Sequence, residues 1–109
     1  MSAGSDEVVL DRLIHEPARL AILTVLSSVE SADFVFLQRT TGLTQGTLSS
    51  HLTKLEQASL VLIRKVFDDR RPVTYVQLTL EGREGLQEYW QRMDAARKGM
   101  KALKPLKTT

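Results

Sequence analysis

The stretch "LTQGTLSSHLTKLEQASL", Leu43 to Leu60, decides how this chain is read. At about 100° per residue, Leu48, Leu52 and Leu55 fall in one narrow arc of a helix. That arc must face a core. The opposite side carries Gly46, Ser49, Ser50, Thr53, Lys54 and Gln57, with Gln45 and Thr47 flanking the first turn and His51 at the edge. A glycine inside a helix costs roughly 1 kcal/mol relative to alanine. A face meant only for water takes alanine, glutamate or lysine. Small side chains let another surface come close, and hydroxyls and amides can reach phosphates and base edges. First-turn N–H groups and the helix dipole also favour phosphate. A helix over 44–57, capped by Thr44, is therefore expected to enter a groove, most simply the DNA major groove. The competing reading is that serine and threonine merely tolerate solvent.

Upstream, "FVFLQRTTG" begins apolar, turns polar and ends on Gly42, a residue suited to the left-handed end of a helix. Residues 35–57 thus read as helix, three-residue turn, helix, the helix-turn-helix spacing. Before that, "PARLAILTVLSS" is apolar almost all round, as in a short helix buried in a bundle, and Pro17 suits its first turn. Val9, Leu10, Leu13 and Ile14 form one stripe of an earlier helix. "VESAD" reads as a loop.

Downstream, "LVLIRKVF" and "VTYVQLTL" are strand-like runs around the polar "DDRRP", which reads as a β-hairpin over 61–78. Thr79 opens a last helix, about 80–103. The fold class is mainly α with a small β-hairpin (α+β), in the order α-α-α-α-β-β-α. Helices followed by a two-stranded wing make a winged helix-turn-helix the economical architecture. Residues 1–109 form one domain, with loose ends at 1–6 and 104–109.

The hairpin places Arg70 and Arg71 at a projecting tip, with Arg64 and Lys65 on the strand leading to it. Arginine at such a tip can enter the minor groove or clamp phosphates. The alternative is a solvated turn in which Asp68 and Asp69 pair with the arginines. In the last helix Leu86, Met93 and Met100 are spaced by sevens, as are Tyr89, Ala96 and Leu103, so together they step as a coiled-coil seam. About 24 residues would run roughly 36 Å, longer than so small a core needs. The expected use is a homodimer contact, strongest beyond Met93 and joined by Leu10 of the N-terminal helix. Trp90 fits either the seam or the core. The other reading is that the stripe packs back on its own domain.

Composition narrows the field. With 42% hydrophobic and 26% charged residues the chain is neither disordered nor fibrous. It has no cysteine, so no disulfide or thiol chemistry is open to it. His15 and His51 are the only histidines, too few for a zinc site of three or four ligands. His15 reads as a helix-entry residue, and His51 as a phosphate or supporting contact. Ser49, Ser50 and His51 are neighbours that diverge on a helix, and there is no phosphate-cradling glycine loop. No catalytic constellation, metal or cofactor is expected. Neither a secretion signal nor a membrane span is evident, so the expectation is a cytoplasmic protein. A formal net charge of +2 is only a weak pointer to nucleic acid.

Four strings, "HEPARLAILTVL", "LTQGTLSSHLTKLEQASLV", "DDRRP" and "LTLEGRE", resemble small winged-helix transcriptional regulators of the MarR and ArsR groups. The resemblance spans about residues 8–90. It implies a dimer on a pseudo-palindromic operator in double-stranded DNA. Gln45, Gly46, Thr47, Ser49, Ser50, His51 and Lys54 would then face the bases and backbone, and Arg70 and Arg71 would form the wing tip. The chain departs from that pattern at Ser59, where glycine is usual, and in a wing without glycine. It lacks the cysteines of metal-sensing ArsR members, and it has less room than MarR proteins for a ligand between dimerisation helices; the sequence names no effector. The functional expectation is a sequence-specific repressor. The rival is a winged-helix module that binds proteins and not DNA.

Overall fold

The computed structural model describes residues 10–102. The loose ends expected at 1–6 and 104–109, and the seam residue Leu103, lie outside them. Residues 10–14 form helix α1. It is followed by α2 (Pro17–Ser27), β1 (Ala32–Asp33), α3 (Phe34–Thr41), α4 (Gln45–Gln57), β2 (Val61–Asp68), β3 (Arg71–Leu78) and α5 (Leu80–Ala102).

Helices α2 to α5 each start for a local reason. Glu16 caps α2, its carboxylate accepting from the N–H groups of Ala18 (3.1 Å) and Arg19 (2.8 Å), with Pro17 in the first turn. Asp33 caps α3 by accepting from Phe36 N at 2.7 Å. Gly42 ends α3 at φ 73°, its N–H bonded to Gln38 O at 2.9 Å. Thr44 then caps α4, accepting from Thr47 N at 3.2 Å. Thr79 caps α5, accepting from Gly82 N at 2.9 Å.

β2 and β3 pair antiparallel from Val61↔Leu78 to Asp68↔Arg71. The "VESAD" segment is not purely a loop. Ala32 and Asp33 pair with Val76 and Tyr75, adding a third strand in the order β1-β3-β2. Two residues are too few to show a strand's alternation in sequence.

The core lies between the helices and the base of this sheet. Ile14, Ile22, Leu23, Leu26, Leu37, Leu48, Leu55 and Val76 are fully buried within it. All three leucines of the α4 arc are inside, so that helix is held by one face only.

The seam expected along α5 divides in two. Leu86 and Tyr89 are buried in the core of their own protomer, which corrects their assignment to a dimer contact. Tyr89 Oη shares a 2.5 Å hydrogen bond with His15 Nδ1, which gives His15 a tie between α1 and α5. Asp11 and Arg92 form a second tie between the same helices. Leu10 packs on this core too, lying over Gly85. Beyond Tyr89, Trp90, Met93 and Met100 are exposed, as is Ala96. A heptad stripe describes a core and a seam equally well; the fold assigns its first half to the core.

Candidate nucleic-acid interface

Thr44, Gln45, Gly46, Thr47, Ser49, Ser50 and Lys54 are all exposed on α4. The Thr44 hydroxyl is engaged in the cap and donates to Thr47 Oγ1 at 2.9 Å. Thr53 Oγ1 bonds back to Ser49 O at 3.0 Å. A Cβ at Gly46 would meet nothing within 4 Å. Packing within the protomer therefore gives no reason for glycine there. What the missing side chain leaves is clearance above the helix surface.

His51 is the exception on this helix. It turns inward, its side chain only 16% exposed, with Nδ1 3.3 Å from Arg19 Nη1 and 3.7 Å from the Glu16 carboxylate. It corrects the expectation of a DNA-facing histidine: His51 fastens α4 to the start of α2. Arg19 completes the knot by donating through Nε to Leu13 O at 2.6 Å. Partial burial pushes the Glu16 carboxyl up. The N–H groups of Arg19 and Ala18, helped by the charges of His51 and Arg19, outweigh it and hold the carboxyl below its ordinary value.

One open groove joins α4 to the wing. Gln45, Ser49 and Thr53 line one side; Lys65, Arg71 and Pro72 line the other, with Arg39 of α3 at an edge. At about 1410 Å³ it exceeds the roughly 300–1,000 Å³ of ligand pockets and is open to solvent. Its charge is mixed, because Asp33, Glu56, Asp68 and Asp69 share the lining. A shallower hollow on the other flank of α4 gathers Arg12, Arg19 and Lys54.

The strand alternation sorts the wing cations. Lys65 shares a sheet face with Val61 and Ile63, the side turned to the helices, while Arg64 projects from the opposite face. Lys65 thus replaces Arg64 as the strand residue in the groove. The tip is tighter than the five-residue break in the sequence. Pairing continues to Asp68↔Arg71, so only Asp69 and Arg70 turn, at φ 52° and 68°. Positive φ at both central residues is the type I′ pattern that matches strand twist. Arg71 belongs to β3 rather than to the tip. Among the described residues no ion pair joins Asp68 or Asp69 to Arg70 or Arg71.

Arg39 and Arg12 were missed from sequence. Both sit on other helices and reach the flanks of α4 only through the tertiary fold. Also among the described residues, no group of three or more His, Asp or Glu stands together as a metal site, and no helix is long and apolar enough to cross a membrane.

A helix-turn-helix whose second helix buries one face in the core and leaves the other open, with a hairpin alongside, defines the winged-helix class. The chain belongs to the winged helix DNA-binding domain family, whose model matches residues 18–96. It is similar to a transcriptional regulator homologue from Pyrococcus horikoshii OT3, with 32% identity over 87% of this chain and 97% of that one and a TM-score of 0.79. A MarR-family transcriptional regulator from Silicibacter pomeroyi has 27% identity, covering 94% of this chain and 71% of that one, with a TM-score of 0.61. An uncharacterized protein of Methanocaldococcus jannaschii is 31% identical over 78 residues, 72% of this chain and 85% of its own length. The fold is that of MarR-like transcriptional regulators.

Proposed function

We propose that the chain acts as a homodimer that binds a pseudo-palindromic site in duplex DNA and represses transcription by occluding a promoter. In each protomer α4 lies in the major groove, with Gln45, Gly46, Thr47, Ser49, Ser50 and Lys54 toward the DNA. The hairpin rests on the adjacent backbone and minor groove through Lys65, Arg70 and Arg71. The observation that carries this reading is the clearance at Gly46 on an exposed helix whose neighbouring Gln45, Ser49 and Thr53 line one groove with Lys65 and Arg71 of the wing. The dimer contact is the exposed distal part of α5, through Trp90, Met93, Ala96 and Met100. Two-fold geometry then sets half-sites about 34–36 Å apart.

The test is affinity for duplex DNA as salt rises, because each neutralised phosphate adds about −0.9 to the slope of log affinity against log salt. Arg70→Ala with Arg71→Ala is expected to weaken binding to every sequence, whereas Gln45→Ala or Ser50→Ala alters which sequence is preferred. Sedimentation of Met93→Asp with Met100→Asp is expected to show a monomer. The carboxylates in the groove favour the other reading, a protein-binding module. No retention of the native chain on duplex DNA at low salt would leave that one standing.

A further inference from the structure

The chain's two histidines stand on either side of one carboxylate. His15 precedes Glu16 in sequence, and His51 reaches it from α4, with Nδ1 lying 3.7 Å from the carboxylate. Each ring ties a different helix to this junction through Nδ1. His15 shares its hydrogen bond with Tyr89 Oη of α5, and His51 lies 3.3 Å from Arg19 Nη1 of α2. The charged groups about His51 are therefore Glu16 and Arg19, with Arg12 of α1 and Lys54 of α4 beside Arg19 in the hollow on that flank.

The two ties answer a proton differently. A tyrosine hydroxyl can donate or accept, so the His15–Tyr89 bond survives protonation of the ring with its roles exchanged. A guanidinium has donors only. His51 Nδ1 can accept from Arg19 only while it is bare, which requires a neutral ring carrying its proton on Nε2. A proton taken from water at Nδ1 sets two cations 3.3 Å apart and leaves the Glu16 carboxylate as the acceptor in reach. The Glu16 carboxyl lies below its ordinary value, so it is charged throughout the range in which histidines change charge, about pH 5 to 8.

We infer that His51 is a proton-sensitive latch for α4: neutral, it holds the helix on Arg19, and protonated, it passes to Glu16 and rolls the helix out of its DNA-binding seat. The leucines Leu48, Leu52 and Leu55 stay in the core, so the buried stripe is the pivot of that roll. A binding face must be held within about 0.5 Å and 10–20° of its productive placement, so a change of anchor on one flank is enough to weaken recognition. Glu16 also caps α2, and drawing its carboxylate toward His51 competes with the N–H groups of Ala18 and Arg19. His51 thus acts as a positioning residue beneath the recognition helix, and His15, whose partner can reverse its role, does not switch.

This inference rests on the DNA-binding reading, and the experiment separates the two. Imidazole nitrogen NMR of the DNA-free native chain is expected to show His51 as the Nε2–H tautomer near neutral pH. Anisotropy of a labelled mixed-sequence duplex is then measured at about pH 7.5 and about pH 5.5, where an ordinary histidine passes from about one tenth to about nine tenths charged. Binding confined to the neutral form raises the native Kd by about threefold to tenfold across that step. His15→Gln keeps the same response. His51→Asn places an amide oxygen near the Nδ1 position, an acceptor that takes up no proton in this range. It is expected to bind like the native chain at the higher pH and to show no weakening at the lower. A native Nδ1–H tautomer at neutral pH overturns the latch, and that result needs neither DNA nor a variant. So does a pH response that survives in His51→Asn or disappears in His15→Gln. Tighter native binding in acid with a steeper salt slope also overturns it, because the new charge would then be meeting phosphate directly. Failure of the native chain to bind any duplex removes the DNA-binding reading, and with it the release of DNA by the latch.

Discussion

The two ends of the wing hairpin are built on opposite terms. At its base, the hairpin is tied to the start of α5. Leu60 O accepts from Thr79 N at 3.1 Å, Ser59 O accepts from the Thr79 hydroxyl at 2.6 Å, and Val61 and Leu78 are buried. At its tip, Phe67 and Arg70 stand in solvent. Both ends contain non-glycine residues at positive φ: Ser59 at 62° below, Asp69 and Arg70 above. At the base the strained Ser59 is held by hydrogen bonds, its N–H donating to Glu56 O at 2.9 Å and its carbonyl accepting from the Thr79 hydroxyl. At the tip the type I′ turn itself sets the positive φ values, and nothing in the protomer covers the side chains of Phe67 and Arg70. The base fixes where the hairpin points; the tip is left free to touch.

Substitutions can test that contrast, and the largest effect belongs to the base. A Cβ on Gly82 would lie 2.1 Å from Leu60 O, a backbone atom that cannot move without breaking the hairpin's closure. Gly82→Ala is expected to cost at least about 3 kcal/mol as overpacking, read as a fall of roughly 12 °C or more in Tm. A native-like melt would mean that the base is soft. A smaller effect tests whether the knot beneath α4 is as firm as the hairpin base. Glu16→Gln removes one of the two capping acceptors and a charge near His51, and is expected to cost about 1 kcal/mol at neutral pH. The folded carboxyl lies below its ordinary 4.5, so its contribution is present above that pH and is lost as pH falls through the folded value. Native and Glu16→Gln chains should therefore converge in stability in acid, well below pH 4.5. A gap that persists there would assign the effect to packing. The smallest change is a gain. Ser59→Gly relieves a left-handed serine and should stabilise by up to about 1 kcal/mol in a denaturant melt, with DNA affinity unchanged.

Much of this was legible in the sequence because the signals were local. Gly42 and Thr44 mark the turn between α3 and α4 within a residue, since each acts through its own backbone. The hairpin follows from two β-rich runs, and Ser59 was visible as a departure before its φ of 62° gave the cause. What the sequence hid depends on distant partners. His51 lies at the edge of the α4 wheel, and only Glu16 and Arg19 decide that it turns inward. Leu86 and Tyr89 have the spacing of a seam, and only α1 packing on α5 makes them core. Arg64 and Lys65 are adjacent and equally basic; the register of β2 on β3 separates them.

α4 is proposed to keep its outward face thin for another surface, and Gly46→Ala tests that in one variant. With nothing within 4 Å of the new methyl group, the fold should gain up to about 1 kcal/mol. The same methyl should weaken duplex binding at fixed salt by about tenfold or more, because it stands where the groove wall must come. A more stable protein that binds DNA less well is the predicted result. A more stable protein with unchanged affinity would contradict the central claim and leave the face of α4 as ordinary solvated surface.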